Sequence, residues 1–205
     1  ASGSSARRLG SGADEHVLRT LDDALAMRHA IASRPDLVVV GGGPLGMEVA
    51  SGALEAGCHV TLVTNATPMS RHLGSRLGET ITVAARERGL NILLTDAARV
   101  IEQAGHAAVE LSDGTLVKGD LLLTAVGDIP NTGWLVDSGI GTGGALAVDT
   151  RCRLRPDIVA AGDVAAAPTP RGYARSPLWH SAIEQARVAA NALLNGDASS
   201  PLCAH

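Results

Sequence analysis

The chain has 205 residues, 45% of them hydrophobic and 19% charged, with a formal net charge of −4. That is enough apolar material for one good core or two small ones, and Lys and Arg are scattered without a basic stripe, which argues against a nucleic-acid partner. No apolar run approaches the roughly 18–20 residues of a membrane span, and the N-terminal ASGSSARRLG lacks the apolar centre of a secretion signal, so the expectation is a cytoplasmic protein without a membrane partner.

Residues 1–12 read as a loop or a strand remnant. The segment TLDDALAMRHAIAS then predicts a helix, with Thr20 as N-cap, Asp22 and Asp23 at the positive end of its dipole, and Leu21, Leu25 and Ile31 marking one face. Pro35 ends it. DLVVV is apolar without alternation, as expected of a parallel strand covered on both faces. A glycine turn follows, and LGMEVASGALEAG carries Leu45, Val49, Ala53 and Leu54 near helical spacing before Gly57 closes the helix. HVTLVT is a second buried strand. The three pieces make a βαβ unit of the length expected for half of a dinucleotide-binding sheet.

A helix over about 75–88 stops at Gly89, NILL gives another strand, and short strands follow around ARVIEQ, AAVELSDGTLVKG and DLLLTAV. Asp113-Gly114 between alternating runs predicts a hairpin turn. The last third is turn-rich over GDIPNTGWLVDSGIGTGGALAVD. PDIVAAGDVA reads as a short apolar strand ending in Gly-Asp, AAPTPRGYARSP as a loop, and residues 180–194 as a helix with Ile183, Ala186, Ala190 and Leu193 inward. The tail from Asn195 has no periodic signal.

Cys58, Cys152 and Cys203 are far apart and form no CxxC or Cys/His ligand spacing, so neither a disulfide framework nor a metal site is expected. Cys58, beside Gly57, reads as a small buried residue. The seven histidines are equally dispersed.

The informative stretch is LVVVGGGPLGMEVA. Gly41, Gly43 and Gly46 occupy the G-x-G-x-x-G positions, within a turn that also contains Gly42, Pro44 and Leu45. The first glycine permits a tight turn, the second lets backbone approach a pyrophosphate, and the third lets the helix pack on the strand. The helix start offers N–H groups and partial positive charge to an anion. The turn follows a strand and opens a helix, so dinucleotide binding is expected. An acid usually stands at the tip of the second strand for the adenosine ribose. Here Thr64 and Asn65 stand there, and Arg71 follows, either as a partner for a 2′-phosphate or as a surface arginine. Coenzyme choice is therefore expected to be weak, with NADPH not strongly excluded.

Five segments in this order, LRTLDDALAMRHAI, VVVGGGPLGMEVA, AVGDIPNT, IVAAGDVA and PLWHSAIEQARVAANAL, resemble the FAD-dependent pyridine nucleotide oxidoreductases, in particular the ferredoxin or rubredoxin reductase type. The resemblance covers nearly the whole chain. It implies an α/β fold: residues 1–10 as a remnant of the FAD domain, with ASG at the position of the family's ATG, then a Rossmann-like NAD(P)-binding domain over 11–129 with a parallel sheet and an antiparallel meander. Residues 130–205 are then the returning segment of the FAD domain and the start of the C-terminal region.

The same resemblance implies an NAD(P)H- and FAD-dependent reductase that passes hydride from nicotinamide to FAD and electrons to a ferredoxin- or rubredoxin-like acceptor. It places Gly127, Gly162 and Asp163 at cofactors, Asp163 on the flavin's ribityl chain. Glu48 becomes the acid near the nicotinamide ring, the residue expected to be catalytic, although an acid in the first helical turn also suits the dipole. Trp179 matches a Trp near the flavin, or is an ordinary core or interface Trp. The family's first glycine fingerprint and its C-terminal domain are absent from these residues. The expectation is a fragment that binds nicotinamide nucleotide without retaining FAD tightly and without turnover. A non-catalytic dinucleotide-binding module is the alternative.

Overall fold

The computed structural model describes residues 1–10, 14–103, 106–141, 143–170, 172–198 and 200–202. It comprises two units, Ala6–Gly127 and a second made of Ala1–Ser5 with Asp128–His205. Strand β1 (Ser4–Ala6) opens the chain. Within Ala6–Gly127 follow β2 (Glu15–His16), α1 (Leu21–Ile31), β3 (Asp36–Val40), α2 (Pro44–Glu55), β4 (His59–Thr64), α3 (Ser70–Leu73), α4 (Ser75–Glu87), β5 (Asn91–Leu94), β6 (Ala97–Gln103), β7 (His106–Leu111), β8 (Leu116–Lys118) and β9 (Leu121–Thr124).

Five strands form one parallel sheet in the order β2-β9-β3-β4-β5. The three central strands, β9, β3 and β4, are covered on both faces, which is why they are apolar without alternation. Leu37 and Val39 point to one face, into a core with Met27, Ala50, Ala53, Leu62 and Leu123 that α1 and α2 close. Val38 and Val40 point to the other and pack with Val63, Leu122 and, from the meander β6-β7-β8, Val109 and Leu111. Asp113 and Gly114 turn β7 into β8, with the Asp113 carboxylate accepting the Thr115 N–H at 2.9 Å.

Thr20 caps α1 in a reciprocal box. Its hydroxyl accepts the Asp23 N–H, and the Asp23 carboxylate accepts the Thr20 N–H at 2.8 Å. The expected apolar face of α1 needs correction. Leu21 and Leu25 are exposed and Met27 is the buried residue, because the helix touches the sheet over its last two turns, where Ala30 and Ile31 also pack. In α2, Ala53 is buried as expected, but Leu45 is exposed and the contact surface is Gly46, Ala50 and Ala53. Small residues face the strand because helix and sheet approach closely there. Cys58 is buried.

The second unit contains β1, β10 (Asp128–Pro130), a 3₁₀ turn (Gly133–Ser138), β11 (Leu146–Ala147), β12 (Arg153–Arg155), β13 (Ile158–Val159), a 3₁₀ turn (Gly162–Val164), β14 (Ala165–Thr169), β15 (Gly172–Arg175) and α5 (Trp179–Asn195). Its sheets are small: β1-β10, β11-β14-β15 and β12-β13. Leu135, Leu146, Val148, Ala160, Val164 and Ala165 form its core.

Two expectations fail in this unit, and a third, the short strand in PDIVAAGDVA, is met by a strand of two residues. The segment after Ala165 is a hairpin, β14 antiparallel to β15 with Pro168 opposite Tyr173. Pro168 is tolerated because β11 pairs only as far as Ala166 and needs no N–H beyond it. Ile158 and Val159 form a two-residue strand against β12, and both are half-buried. In α5 the inward residues are Gln185, Ala189 and Ala192, whereas Ile183 and Leu193 are exposed, as are Ala186 and Ala190. A hydrogen bond decides that face, since the Gln185 side-chain oxygen accepts the Gly162 N–H at 2.8 Å. Cys203 lies outside the described residues. Among the described residues no helix is long and apolar enough to cross a membrane.

Candidate functional site

All five strands of a parallel sheet end on the same side, and ligand crevices of such sheets lie beyond their carboxyl ends. Here a cleft of about 410 Å³ opens at that edge. It is walled by the glycine turn after β3, the tip of β4 with the segment leading to His72, Thr95 and Asp96 after β5, and Ala125 to Gly127 after β9.

Each glycine of the turn has its own reason to be glycine. Gly41 has φ +112°, donates its N–H to the Val63 carbonyl at 2.8 Å, and would place a Cβ 2.3 Å from the Ala125 carbonyl oxygen. Gly46 is buried in α2, where a Cβ would lie 1.9 Å from the Gly41 oxygen. A Cβ on Gly42 would lie 2.7 Å from the Thr64 hydroxyl. Gly43 differs. Its φ of −77° suits any residue, and the nearest atom to its Cβ position is His72 Cε1, at 3.9 Å. Neither backbone geometry nor packing within the chain calls for glycine there. It is also the N-cap of α2 and makes no side-chain cap, so the first-turn N–H groups are left without a capping side chain and suit an anion.

At the tip of β4, Thr64 is buried and its hydroxyl donates to the Ala66 carbonyl at 3.0 Å. The exposed Asn65 accepts a hydrogen bond from Arg71 Nη2 at 3.3 Å. Arg71 and His72 reach the cleft because Met69 adopts φ +62° before α3, with its N–H donating to the Gly42 carbonyl at 2.8 Å. A left-handed non-glycine residue costs on the order of 1 kcal/mol. That cost is offset by contacts on both sides of it, since the Met69 carbonyl also accepts the His72 and Leu73 N–H groups.

Gly41, Gly42, Gly43, Thr64, Asn65, Arg71 and Gly127 therefore line one cleft. Pro44, Leu45, Gly46 and Glu48 belong to α2 and are not among the lining residues. Glu48 needs a correction: α2 begins at Pro44, so Glu48 is its fifth residue, past the first turn, and is exposed. The dipole account of this acid thus fails, because that effect fades within one turn.

Gly162, Asp163 and Trp179 lie in the other unit. Asp163 Oδ2 accepts the Ser4 hydroxyl at 2.7 Å, and its carbonyl accepts Arg175 Nη1 at 2.8 Å. Arg175 also grips both Asp128 oxygens. Trp179 is 85% exposed at the start of α5, which rules out its reading as a core residue.

Met69, His72, Thr95 and Asp96 escaped the sequence reading. A usable signal existed for Thr95 and Asp96, which directly follow a strand parallel to β4 and must emerge at the same edge. Glu15 was also missed. It is 1% exposed, and its carboxylate accepts the Leu9 and Gly10 N–H groups and the Thr124 hydroxyl at 2.7, 2.8 and 2.7 Å, which ties Leu9 to the end of β9. Burial raises the Cys58 thiol. Burial, with Asp149 and Glu184 adding to it, pushes Cys152 up to about 11. Neither is a ready thiolate at neutral pH.

The family model described as pyridine nucleotide-disulphide oxidoreductase matches residues 1–190. The chain is 32% identical over 188 residues to the 3-phenylpropionate/cinnamic acid dioxygenase ferredoxin–NAD(+) reductase component of Photorhabdus laumondii, covering 89% of this chain and 48% of that protein. It is 34% identical over 209 residues to the biphenyl dioxygenase system ferredoxin–NAD(+) reductase component of Paraburkholderia xenovorans, covering 98% and 51%. Among solved structures, a ferredoxin reductase from Rhodopseudomonas palustris superposes with a TM-score of 0.86 at 28% identity, over 99% of this chain and 52% of that one. The putidaredoxin reductase of a covalent complex with putidaredoxin gives 0.82 at 30%, over 97% and 51%. The chain spans about half the length of the curated relatives it matches.

Proposed function

The chain belongs to the pyridine nucleotide-disulphide oxidoreductase family, and from that premise we propose that it carries the nicotinamide-nucleotide site and part of the flavin site of an NAD(P)H-dependent, FAD-dependent reductase. The domain assignment follows the same reading, with the NAD(P)-binding domain over residues 11–129 and FAD-domain segments on either side. Bound FAD supplies the chemistry that turns a hydride from nicotinamide into single electrons for a ferredoxin- or rubredoxin-like acceptor. The named relatives support that acceptor class.

The observation that carries the reading is Gly43. A Cβ there would project into the cleft with no protein atom nearer than 3.9 Å, so the missing side chain leaves room for something outside the chain. A pyrophosphate fits, because the uncapped start of α2 adjoins it. The cleft otherwise presents small polar and apolar groups from Val40, Thr95 and Ala125, which suit a nucleoside. In the other unit, Asp163 offers an anionic acceptor held by Ser4, a group that suits a sugar-like hydroxyl chain. Gly162 and Asp163 are proposed to hold the ribityl portion of the flavin, Trp179 to lie near it, and Glu48 to lie near the nicotinamide ring.

Calorimetry on the wild-type chain and Gly43→Val tests this. The variant should keep its thermal unfolding, because residue 43 has ordinary backbone and open space, yet lose binding of NADH and NADPH. Undiminished binding would refute the site. A visible spectrum after gel filtration separates the catalytic reading from the alternative. A stoichiometric flavin band bleached by NAD(P)H marks a competent reductase, and nucleotide binding without flavin marks a binding module.

A further inference from the structure

Resting on the dinucleotide reading of this cleft, we propose that Glu15 is a positioning residue for the coenzyme: its buried side chain clamps Leu9 to the end of β9 and so fixes the wall against which a bound dinucleotide lies. Glu15 acts through its neighbours, since it is not among the residues that line the cleft.

The clamp is built from both of the segments that it joins. Glu15 lies in β2, paired with Leu122 of β9, and is 1% exposed. Its Oε1 accepts the Leu9 N–H at 2.7 Å and the Thr124 hydroxyl at 2.7 Å, and Oε2 accepts the Gly10 N–H at 2.8 Å. A carboxylate this deeply buried is tolerated where donors match its oxygens. Arg8 ties the same stretch from the other direction, with Nη1 donating to the Glu15 carbonyl. Gly10 permits the grip, because a Cβ there would stand 2.9 Å from the Val100 carbonyl oxygen and 3.4 Å from Glu15 Oε2.

What the clamp holds is a surface that faces the cleft. Leu9 lines it, and so do Ala125, Val126 and Gly127, which directly follow Thr124. Backbone bonds complete the attachment: the Arg7 N–H donates to the Gly127 carbonyl at 3.0 Å and the Ala125 N–H to the Val40 carbonyl at 2.7 Å. Leu9 and Val126 also pack on the apolar cluster that holds Val40 and Val63. Apolar contact is non-directional and does not by itself set where Leu9 stands along that surface. Two adjacent N–H groups bound to one carboxylate do set it, because they fix the backbone of both residues against Thr124. A hydrophobic side chain in place of Glu15 would bury the same area at less desolvation cost, so the carboxylate is explained by the geometry that it imposes.

Calorimetric titration of the 205-residue chain with NADH and with NADPH tests the assignment, using Glu15→Gln, Leu9→Ala, the variant carrying both, Thr124→Val and Thr124→Ser, each checked by a thermal melt. Glu15→Gln keeps the shape but turns an amide group toward one of the two N–H donors. It should weaken both coenzymes by the same factor, on the order of tenfold, since β9 stands two strands from the tip of β4. Thr124→Val removes one contact and should weaken both roughly threefold, a loss that Thr124→Ser recovers by keeping the hydroxyl. A side chain that only stabilises the fold would lower the melt and leave affinity intact. Positioning through Leu9 predicts in addition that Glu15→Gln costs less affinity once Leu9 is already alanine. Wild-type affinity in a folded Glu15→Gln variant, or losses that multiply fully when the two changes are combined, would overturn the proposal while the dinucleotide site stands. If Glu15→Gln does not fold, Thr124→Val decides, and unaltered affinity there overturns the proposal. Binding of neither coenzyme by the wild-type chain would overturn the site as well.

Discussion

Residues 6–127 and residues 128–205 differ in how each makes a core. The first has a five-stranded parallel sheet whose central strands are buried on both faces, with Val39, Leu62, Val63 and Leu123 fully inaccessible. The second has sheets of two and three strands and a core of six residues, two of them alanine. It exposes Trp134, Tyr173, Trp179 and Leu194 at 62–85%. Hydrophobic stabilisation scales with apolar area removed from water, so two stretches of similar composition differ in how firmly they are held. A site that needs fixed geometry is better placed on the first.

The sharpest test is native-state hydrogen exchange. Amides of β3, β4 and β9 should open only with global unfolding, and those of β12, β13 and β15 should exchange faster by roughly a hundredfold or more. Equal protection in both regions would break the comparison. Core truncation comes next. Leu62→Ala should cost about 2–5 kcal/mol in urea unfolding, and Leu135→Ala, in the smaller core, about 2 kcal/mol, where the surroundings can collapse more readily. A larger loss at Leu135 would reverse the ranking.

A smaller effect separates two glycines of the same turn. Gly46→Ala should destabilise by about 1–3 kcal/mol, because the new methyl collides with the Gly41 oxygen. Gly43→Ala should leave stability nearly unchanged. The least effect concerns acid. Burial raises the Asp149 carboxyl, but hydrogen bonds from the Arg153 N–H and side chain and from the Arg151 N–H outweigh it and hold it below the usual carboxylate range. Its contribution is therefore present above the ordinary carboxylate pKa and is lost as pH falls through the lowered value. An Asp149→Asn variant should narrow the stability difference between neutral and acid pH, read from melts between pH 3 and 7. An unchanged pH slope would remove Asp149 from the account.

Much of this was legible where hydropathy alone sets the outcome. DLVVV, HVTLVT and DLLLTAV are strands buried on both faces, and their short length and Val-rich or Leu-rich composition between turn signals favour a strand over a buried helix. The glycine turn was legible because Gly41, Gly42 and Gly46 each answer a steric demand within the chain, and Gly43 leaves the space that the pattern reserves for a ligand. Helix faces were less so. In α5 the periodicity of Ile183 and Leu193 pointed inward, but Gln185 has a hydrogen bond to make with Gly162, and Ala189 and Ala192 allow the close approach this requires. Hydropathy does not report such a bond. Pro168 and Pro170 disguised a hairpin as a loop, because the absence of a neighbour beyond Ala166 is a fact about sheet order. The cleft's second wall was hidden for the same reason. Met69, His72 and Asp96 meet the turn only once β5 lies beside β4 and Met69 adopts a conformation that its residue type disfavours.

That residues 6–127 interrupt the other unit in the chain order has one more consequence. Arg7 donates its N–H to the Gly127 carbonyl at 3.0 Å, so the two ends of the larger unit meet, and Asn131 donates to the Gly3 carbonyl at 2.9 Å, so the ends of the gap in the smaller one meet too. A guest whose ends adjoin can enter a host chain without prising the host apart. Two cuts in a gene, beside codons 5 and 128, would release the unit that carries the cleft as one cassette and leave behind ends that a short peptide can join. Recombination that moves such a cassette exchanges one unit while leaving the rest of the sequence untouched.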